Sequence, residues 1–221
     1  MKTILITGAT GDIGKAITLK LSEEGYNIIA IVRNKKAAID LTKIQNVELV
    51  EADITNKASL EAIEKSGPQI DWLIASHGYI DTSTDIETQS PEAIEETFKV
   101  NIISLFYLTQ VFLKRISMGM VFISSTSGIQ ANGKVAAYSA SKAAVNSLSV
   151  ALARNRSDKT FISVCPGPTA GQMREKIGAK GGQSPREVAV LVSQILQSDT
   201  YKSGDIVTVR DGKSEIVSRL S

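Results

Sequence analysis

Short apolar runs rich in isoleucine and valine alternate with longer stretches of helical periodicity from one end of the chain to the other. The runs at residues 3–7, 27–32, 47–51, 70–75, 118–124, 161–165 and 205–209 predict seven strands. Between them, residues 12–24, 35–43, 57–66, 91–116, 135–155 and 185–197 repeat apolar positions with the period of a helix. Ser90 before Pro91 and Ser184 before Pro185 each put a capping hydroxyl ahead of a proline at the first helical position. Strands without polar alternation are covered on both faces, and their regular exchange with helices implies parallel pairing through crossovers. The pattern therefore predicts one doubly wound α/β domain over residues 1–221, with a seven-stranded parallel sheet and helices on both faces.

Composition removes other classes. With 43% apolar and 22% charged residues the chain is neither disordered nor fibrous. The net charge of +2 comes from dispersed lysine and arginine, which excludes a nucleic-acid footprint or a membrane-binding basic tract. No apolar run approaches the length of a membrane span, and glycines interrupt the N-terminal apolar segment before a signal sequence could be complete. A lone cysteine, Cys165, precludes an internal disulfide and suits a reducing compartment. A cytoplasmic protein is expected. No cluster of His, Cys and acidic residues has metal-ligand spacing, so no metal site is expected.

The first predicted strand runs straight into Thr7-Gly8-Ala9-Thr10-Gly11-Asp12-Ile13-Gly14 and then a helix. Glycines here permit a tight turn and close backbone approach, and the helix N-terminus offers free N–H groups to a pyrophosphate, as in a Rossmann dinucleotide site. At the end of the second strand, Arg33-Asn34 stands where an acid would bond a ribose 2′-hydroxyl. Arg33 can instead pair with a 2′-phosphate, which favours NADP(H), and Lys15 could assist.

Tyr138 and Lys142 lie four apart in a predicted helix and share a face. Bringing a phenol from its ordinary pKa near 10 toward 7 needs roughly 4 kcal/mol, about what one ammonium at 4 Å supplies at an effective dielectric near 20. Lys142 is therefore expected to lower the pKa of Tyr138 and make it a general acid or base. With the glycine turn, this pair gives the chain a resemblance, over essentially its whole length, to the short-chain dehydrogenase/reductase family.

The resemblance implies roles for further residues. Ser125, thirteen positions before Tyr138, resembles the family's serine that orients the substrate oxygen. Asn101 is similar to the asparagine that holds a proton-relay water, and Lys142 would also hold the nicotinamide ribose. Asp53 and Ile54 resemble the segment that contacts adenine, and Pro166 and Gly167 the turn lining the nicotinamide. Residues 204–207, with Asp211-Gly212, are similar to the family's last strand.

Three positions depart from the family's pattern. The glycine spacing is that of the extended branch, leaving Asp12 where the branch of this length has its middle glycine. Asp12 would repel phosphate if it pointed inward, so it is expected to cap or to face solvent. Ala75-Ser76-His77-Gly78 replaces the usual Asn-Asn-Ala-Gly after the fourth strand. Gly171 stands where a cofactor-contacting threonine is common, and Thr169 could substitute. His77 is expected to pack or bond the backbone, Cys165 to be an inert thiol, and Trp72 to fill core or interface space.

Together these features predict an NADP(H)-dependent oxidoreductase interconverting a small carbonyl compound and an alcohol. The alternatives are a catalytically silent NADP-binding regulator or scaffold, then an epimerase- or dehydratase-like enzyme. The Gly-rich stretch 167–182 should form a mobile loop over the site, and its scarcity of apolar residues leans toward small or polar carbonyls or a carrier-bound thioester. The helices at 91–116 and 135–155 are expected to build a homodimer or homotetramer interface, as the resemblance implies.

Overall fold

The computed structural model describes residues 1–65, 67–82 and 85–219. Its strands are β1 (Thr3–Thr7), β2 (Asn27–Val32), β3 (Val47–Glu51), β4 (Ile70–Ala75), β5 (Ile116–Ile123), β6 (Thr160–Pro166), β7 (Ile206–Arg210) and β8 (Lys213–Ser218). They form one sheet in the order β3-β2-β1-β4-β5-β6-β7-β8, parallel throughout except for the antiparallel β7–β8 pair. The predicted doubly wound α/β sheet is thus present, with eight strands rather than seven. The added strand follows from Asp211-Gly212, both with left-handed φ (51° and 73°), which makes a two-residue hairpin turn between Arg210 and Lys213. Beyond β8, Arg219 donates to both carboxylate oxygens of buried Asp205, at 2.9 and 2.7 Å, and ties the chain end to the sheet.

The helices are α1 (Asp12–Glu23), α2 (Lys57–Glu64), α3 (Pro91–Phe98), α4 (Ser104–Phe112), α5 (Ala136–Asn155), α6 (Gln172–Lys176) and α7 (Pro185–Gln197). Residues of β1 and β4 alternate between two cores. Ile4, Ile6, Trp72 and Ile74 pack with Ile17 and Leu21 of α1 and Val188 and Leu191 of α7. Leu5, Leu73 and Ala75 face the other way, onto Leu60, Leu105, Leu108 and Val145. Because both faces are covered, nearly every position of β1, β2 and β4 is drawn into apolar packing, which explains their unbroken Ile/Val runs. The expected caps are present: Ser90 accepts from Ala93 N–H, and Ser184 forms a capping box with Glu187.

Three predicted helices differ. The stretch 35–43 is a 3₁₀ helix over Lys36–Lys43, started by Asn34 Oδ1, which accepts from the N–H groups of Lys36 and Ala37. The stretch 57–66 ends its helix at Glu64, and Ser66 lies outside the described residues. The single helix expected over 91–116 is α3, a π turn at Lys99–Ile103, and α4, with β5 already begun at Ile116. The π turn holds Asn101, and such turns often mark functional sites because they re-aim side chains.

Candidate active site

β1 pairs with β2 on one side and β4 on the other, so the chain leaves its C-terminal end in opposite directions and a crevice opens there. The glycine turn lies at this point. Gly8 has φ +71°, and a Cβ on it would meet His77 N at 2.5 Å, so the turn lies flush on the end of β4. Gly14 seats α1 on the same turn, since a Cβ there would fall 2.1 Å from Gly8 O. Gly11 caps α1 without a side-chain hydrogen bond, which leaves first-turn N–H groups near Asp12 and Ile13 for an anion. Beside it, Ser76 Oγ is buried with no hydrogen-bond partner. An uncapped helix end and an orphaned hydroxyl at one switch point fit a dinucleotide, whose phosphates and hydroxyls would satisfy both. Thr10 is exposed at the turn, and Ala75 is buried at the end of β4.

His77 braces this corner from below. Its Nδ1 lies 2.6 Å from Thr7 Oγ1 and its Nε2 2.8 Å from Ser104 Oγ. Ser104 gives its own proton to Val100 O (2.7 Å), so it must accept from His77 Nε2–H, and Nδ1 accepts from Thr7. Burial, and then the Lys142 charge, push the His77 pKa down to about 3. The imidazole is neutral, and it bonds side-chain hydroxyls rather than the backbone groups expected from the sequence.

On the adenosine side, Arg33 is exposed at the end of β2. Asp53 Oδ1 accepts from Thr55 N–H and Oγ1–H at 2.9 and 2.8 Å. Burial alone would raise the Asp53 pKa, but the Thr55 hydrogen bonds and the charges of Lys99 and Arg33 hold it below the usual carboxylate range. Ile54 is buried. Asn34, expected at the cofactor, spends its side-chain oxygen starting the 3₁₀ helix.

On the other side of the crevice, Ser125 follows β5 and Tyr138 and Lys142 lie on α5. Burial pushes the Tyr138 pKa up to about 12, against a hydrogen bond with Ser125 that lowers it. Burial also pushes Lys142 down to about 8. The expected lowering of Tyr138 by Lys142 is therefore absent, and the reason is geometric. Lys142 Nζ donates to Ile123 O at 2.9 Å and lies 5.7 Å from the centroid of the Tyr138 ring, beneath the aromatic face rather than at the hydroxyl. Asn101 Nδ2 donates to Tyr79 O (2.8 Å) and Ser141 Oγ (2.9 Å), and Oδ1 accepts from Tyr79 N–H (2.7 Å). A Cβ on Gly78 would stand 3.5 Å from Lys142 Nζ, 3.5 Å from Met173 Cε and 3.7 Å from Asn101 Oδ1, so these three atoms border one space.

The β6–α7 loop closes the crevice. Pro166 and Gly167 are buried, and Thr169 Oγ1 donates to Gly167 O (2.9 Å) and accepts from Gln183 Nε2 (3.2 Å). Asp12 neither caps its own helix nor faces freely outward: its Oδ2 accepts from Gln172 N–H of α6 at 2.8 Å. Cys165 is buried, with its thiol pushed up by burial, an inert group as expected. Sequence reasoning passed over Ser104, Ser141, Met173 and Gln183. Ser141 alone carried a signal, being three residues from Tyr138 on the same helix face.

A parallel sheet with a glycine turn at its switch point and a Ser–Tyr–Lys cluster facing that turn defines an α/β protein of the nucleotide-dependent oxidoreductase kind. The family model for short chain dehydrogenases matches residues 2–181, and the chain belongs to that family. It is 29% identical over 193 residues to a 3beta-hydroxysteroid dehydrogenase of Mediterraneibacter gnavus, covering 80% of this chain and 70% of that one. A putative short chain dehydrogenase of Escherichia coli, solved with NADPH, shares the fold with a TM-score of 0.88 at 21% identity, over 94% of this chain and 95% of that one. A 3-ketoacyl-(acyl-carrier-protein) reductase of Brucella melitensis, solved with NADH, gives a TM-score of 0.83 at 22% identity, over 96% and 97%.

Proposed function

We propose that this chain is an NADP(H)-dependent oxidoreductase that interconverts a carbonyl and an alcohol. The observation that carries this reading is Lys142 Nζ over the Tyr138 ring, 5.7 Å from its centroid, with Ser125 near enough to act on the phenol, across the crevice from the Gly8 turn. The nicotinamide, when bound, supplies or accepts the hydride. The uncapped start of α1 and the Gly8 turn would hold the pyrophosphate, Ser76 Oγ a polar group beside it, and Asp53 and Ile54 the adenine. Arg33 supports NADP(H) over NAD(H) as an exposed cation at the end of β2. Ser125 orients the substrate oxygen and Tyr138 exchanges a proton with it. A phenol at about 12 is protonated at neutral pH, the form that donates to a carbonyl oxygen. Lys142, at about 8, is mostly charged at pH 7 and stabilises the tyrosinate left after donation once its Nζ moves toward the hydroxyl and a ribose. Asn101 Oδ1 keeps one lone pair facing the space over Gly78 and would hold there a water linking Lys142 to solvent.

The test is consumption of NADPH, and separately NADH, with a panel of aldehydes, ketones and oxoacyl thioesters. Tyr138→Phe should lose about 10²- to 10⁴-fold in turnover while still binding NADPH. Reduction should fall as pH rises through about 8, where Lys142 loses its charge. Unchanged turnover in Tyr138→Phe refutes the assignment, and NADPH binding without turnover on any substrate points to a regulator.

A further inference from the structure

Two of the three places where the sequence departs from the family's pattern, Asp12 and Gly171, are in contact. Gln172 N–H donates to Asp12 Oδ2 at 2.8 Å, joining the first residue of α6 to the first residue of α1. Gly171 adopts φ +145°, and a Cβ on it would stand 2.2 Å from Asp12 Oδ2 and 2.4 Å from Cγ. Only glycine lets the loop approach this carboxylate. The neck of the loop is pinned separately: Ala170 N–H donates to Gln183 O (3.0 Å), Gln183 N–H to Pro168 O (2.9 Å), and the Gln183 amide to Val209 O (3.0 Å). What can swing is the segment 171–182, whose glycines at 178, 181 and 182 also take left-handed φ. One residue past the contact, Met173 reaches into the space over Gly78 that Lys142 and Asn101 border.

We propose that Asp12 and Gly171 form a clasp that holds α6 shut across the cofactor cleft, with Met173 filling the space beside Lys142, so that the nicotinamide nucleotide enters only after the clasp opens. This rests on the cofactor reading above. The clasp also settles the charge conflict at the turn. Engaged with Gln172 N–H, the carboxylate is aimed at the loop; released, it stands free at the start of α1, where a pyrophosphate is to sit, and opposes it. Loop closure and phosphate affinity are thereby linked through one side chain.

Hydrogen exchange of the ligand-free protein tests the clasp without any cofactor. Exchange across residues 172–182 should rise about 10-fold or more in Asp12→Ala and in Gly171→Ala. Asp12→Asn keeps an acceptor oxygen and should stay within about 3-fold of wild type. Exchange in Asp12→Ala equal to wild type overturns the clasp. Gating is read by stopped-flow NADPH fluorescence. The wild-type rate should level off with rising NADPH, and Asp12→Ala and Met173→Ala should lift that ceiling about 5-fold or more. A rate that climbs without limit in the wild type, or a ceiling shared by all three proteins, overturns gating. Failure of the wild type to bind NADPH overturns the cofactor reading and gating together, while the exchange result decides the clasp on its own.

Discussion

The imidazole of His77 stands between two hydroxyls, and the direction of its hydrogen bonds is set by a third group, Val100 O, which takes the Ser104 proton. The ring can serve this chain only when neutral. Its folded pKa of about 3 lies below the unfolded value near 6.5, so below pH 6.5 the unfolded chain binds a proton that the folded protein refuses. Stability present above 6.5 is lost as pH falls toward 3, by up to about 1.4 kcal/mol per unit. His77→Gln should remove that part of the acid sensitivity, as read by urea midpoints at pH 7, 5.5 and 4.5; an unchanged slope refutes the assignment. At this scale the sequence was informative about identity and silent about ionisation. Tyr138 and Lys142 are legible from spacing and Ser125 through the resemblance, but the pKa values of Tyr138 and Lys142 follow from burial and from where Nζ points. Neither is written in the order of residues.

Helix periodicity located the stretch from Pro91 onward but did not detect the π turn at Lys99–Ile103, because apolar spacing does not distinguish an i→i+4 ladder from one widened turn. The same apolar run continues through Ile116 into β5, so the helix end was also hidden. β8 was missed for the opposite reason: most of its side chains are exposed and it has no apolar face to betray it, although Asp211-Gly212 is a hairpin signal. Gln183, buried in a segment that reads as loop, is the residue on which the β6–α7 connection depends. Its side chain bonds Val209 O, Thr169 Oγ1 and Asp211 N–H. Gln183→Ala should cost about 1–3 kcal/mol by leaving these groups without partners, and should speed proteolysis within residues 168–182. Denaturation midpoints and a cleavage time course check both, and a change below about 0.5 kcal/mol would deny it this role.

Across the whole molecule, the strand–helix alternation specified the doubly wound sheet because each strand must be covered twice, while the glycine turn located the crevice. Assembly is a separate matter. Ile103, closing the π turn, and Phe106, in the first turn of α4, are 41% and 48% exposed, in the stretch where the resemblance implies a subunit contact. Phe106→Asp should convert a dimer or tetramer to monomer in sedimentation; a monomeric wild type removes the interface. Asp12 and Gly171 lie still farther apart in sequence, and their fit restricts what the two positions can hold together. A threonine at 171 facing an aspartate at 12 would overlap it, since even a Cβ at 171 would stand 2.2 Å from Asp12 Oδ2. Gly171→Thr should accordingly be damaging in the present chain and less so beside Asp12→Gly, which removes the overlap but not the strain of φ +145°, with a coupling of about 0.5–3 kcal/mol in a double-mutant stability cycle. Two residues that the sequence keeps far apart would then behave as a single unit of fit, visible only when both are changed.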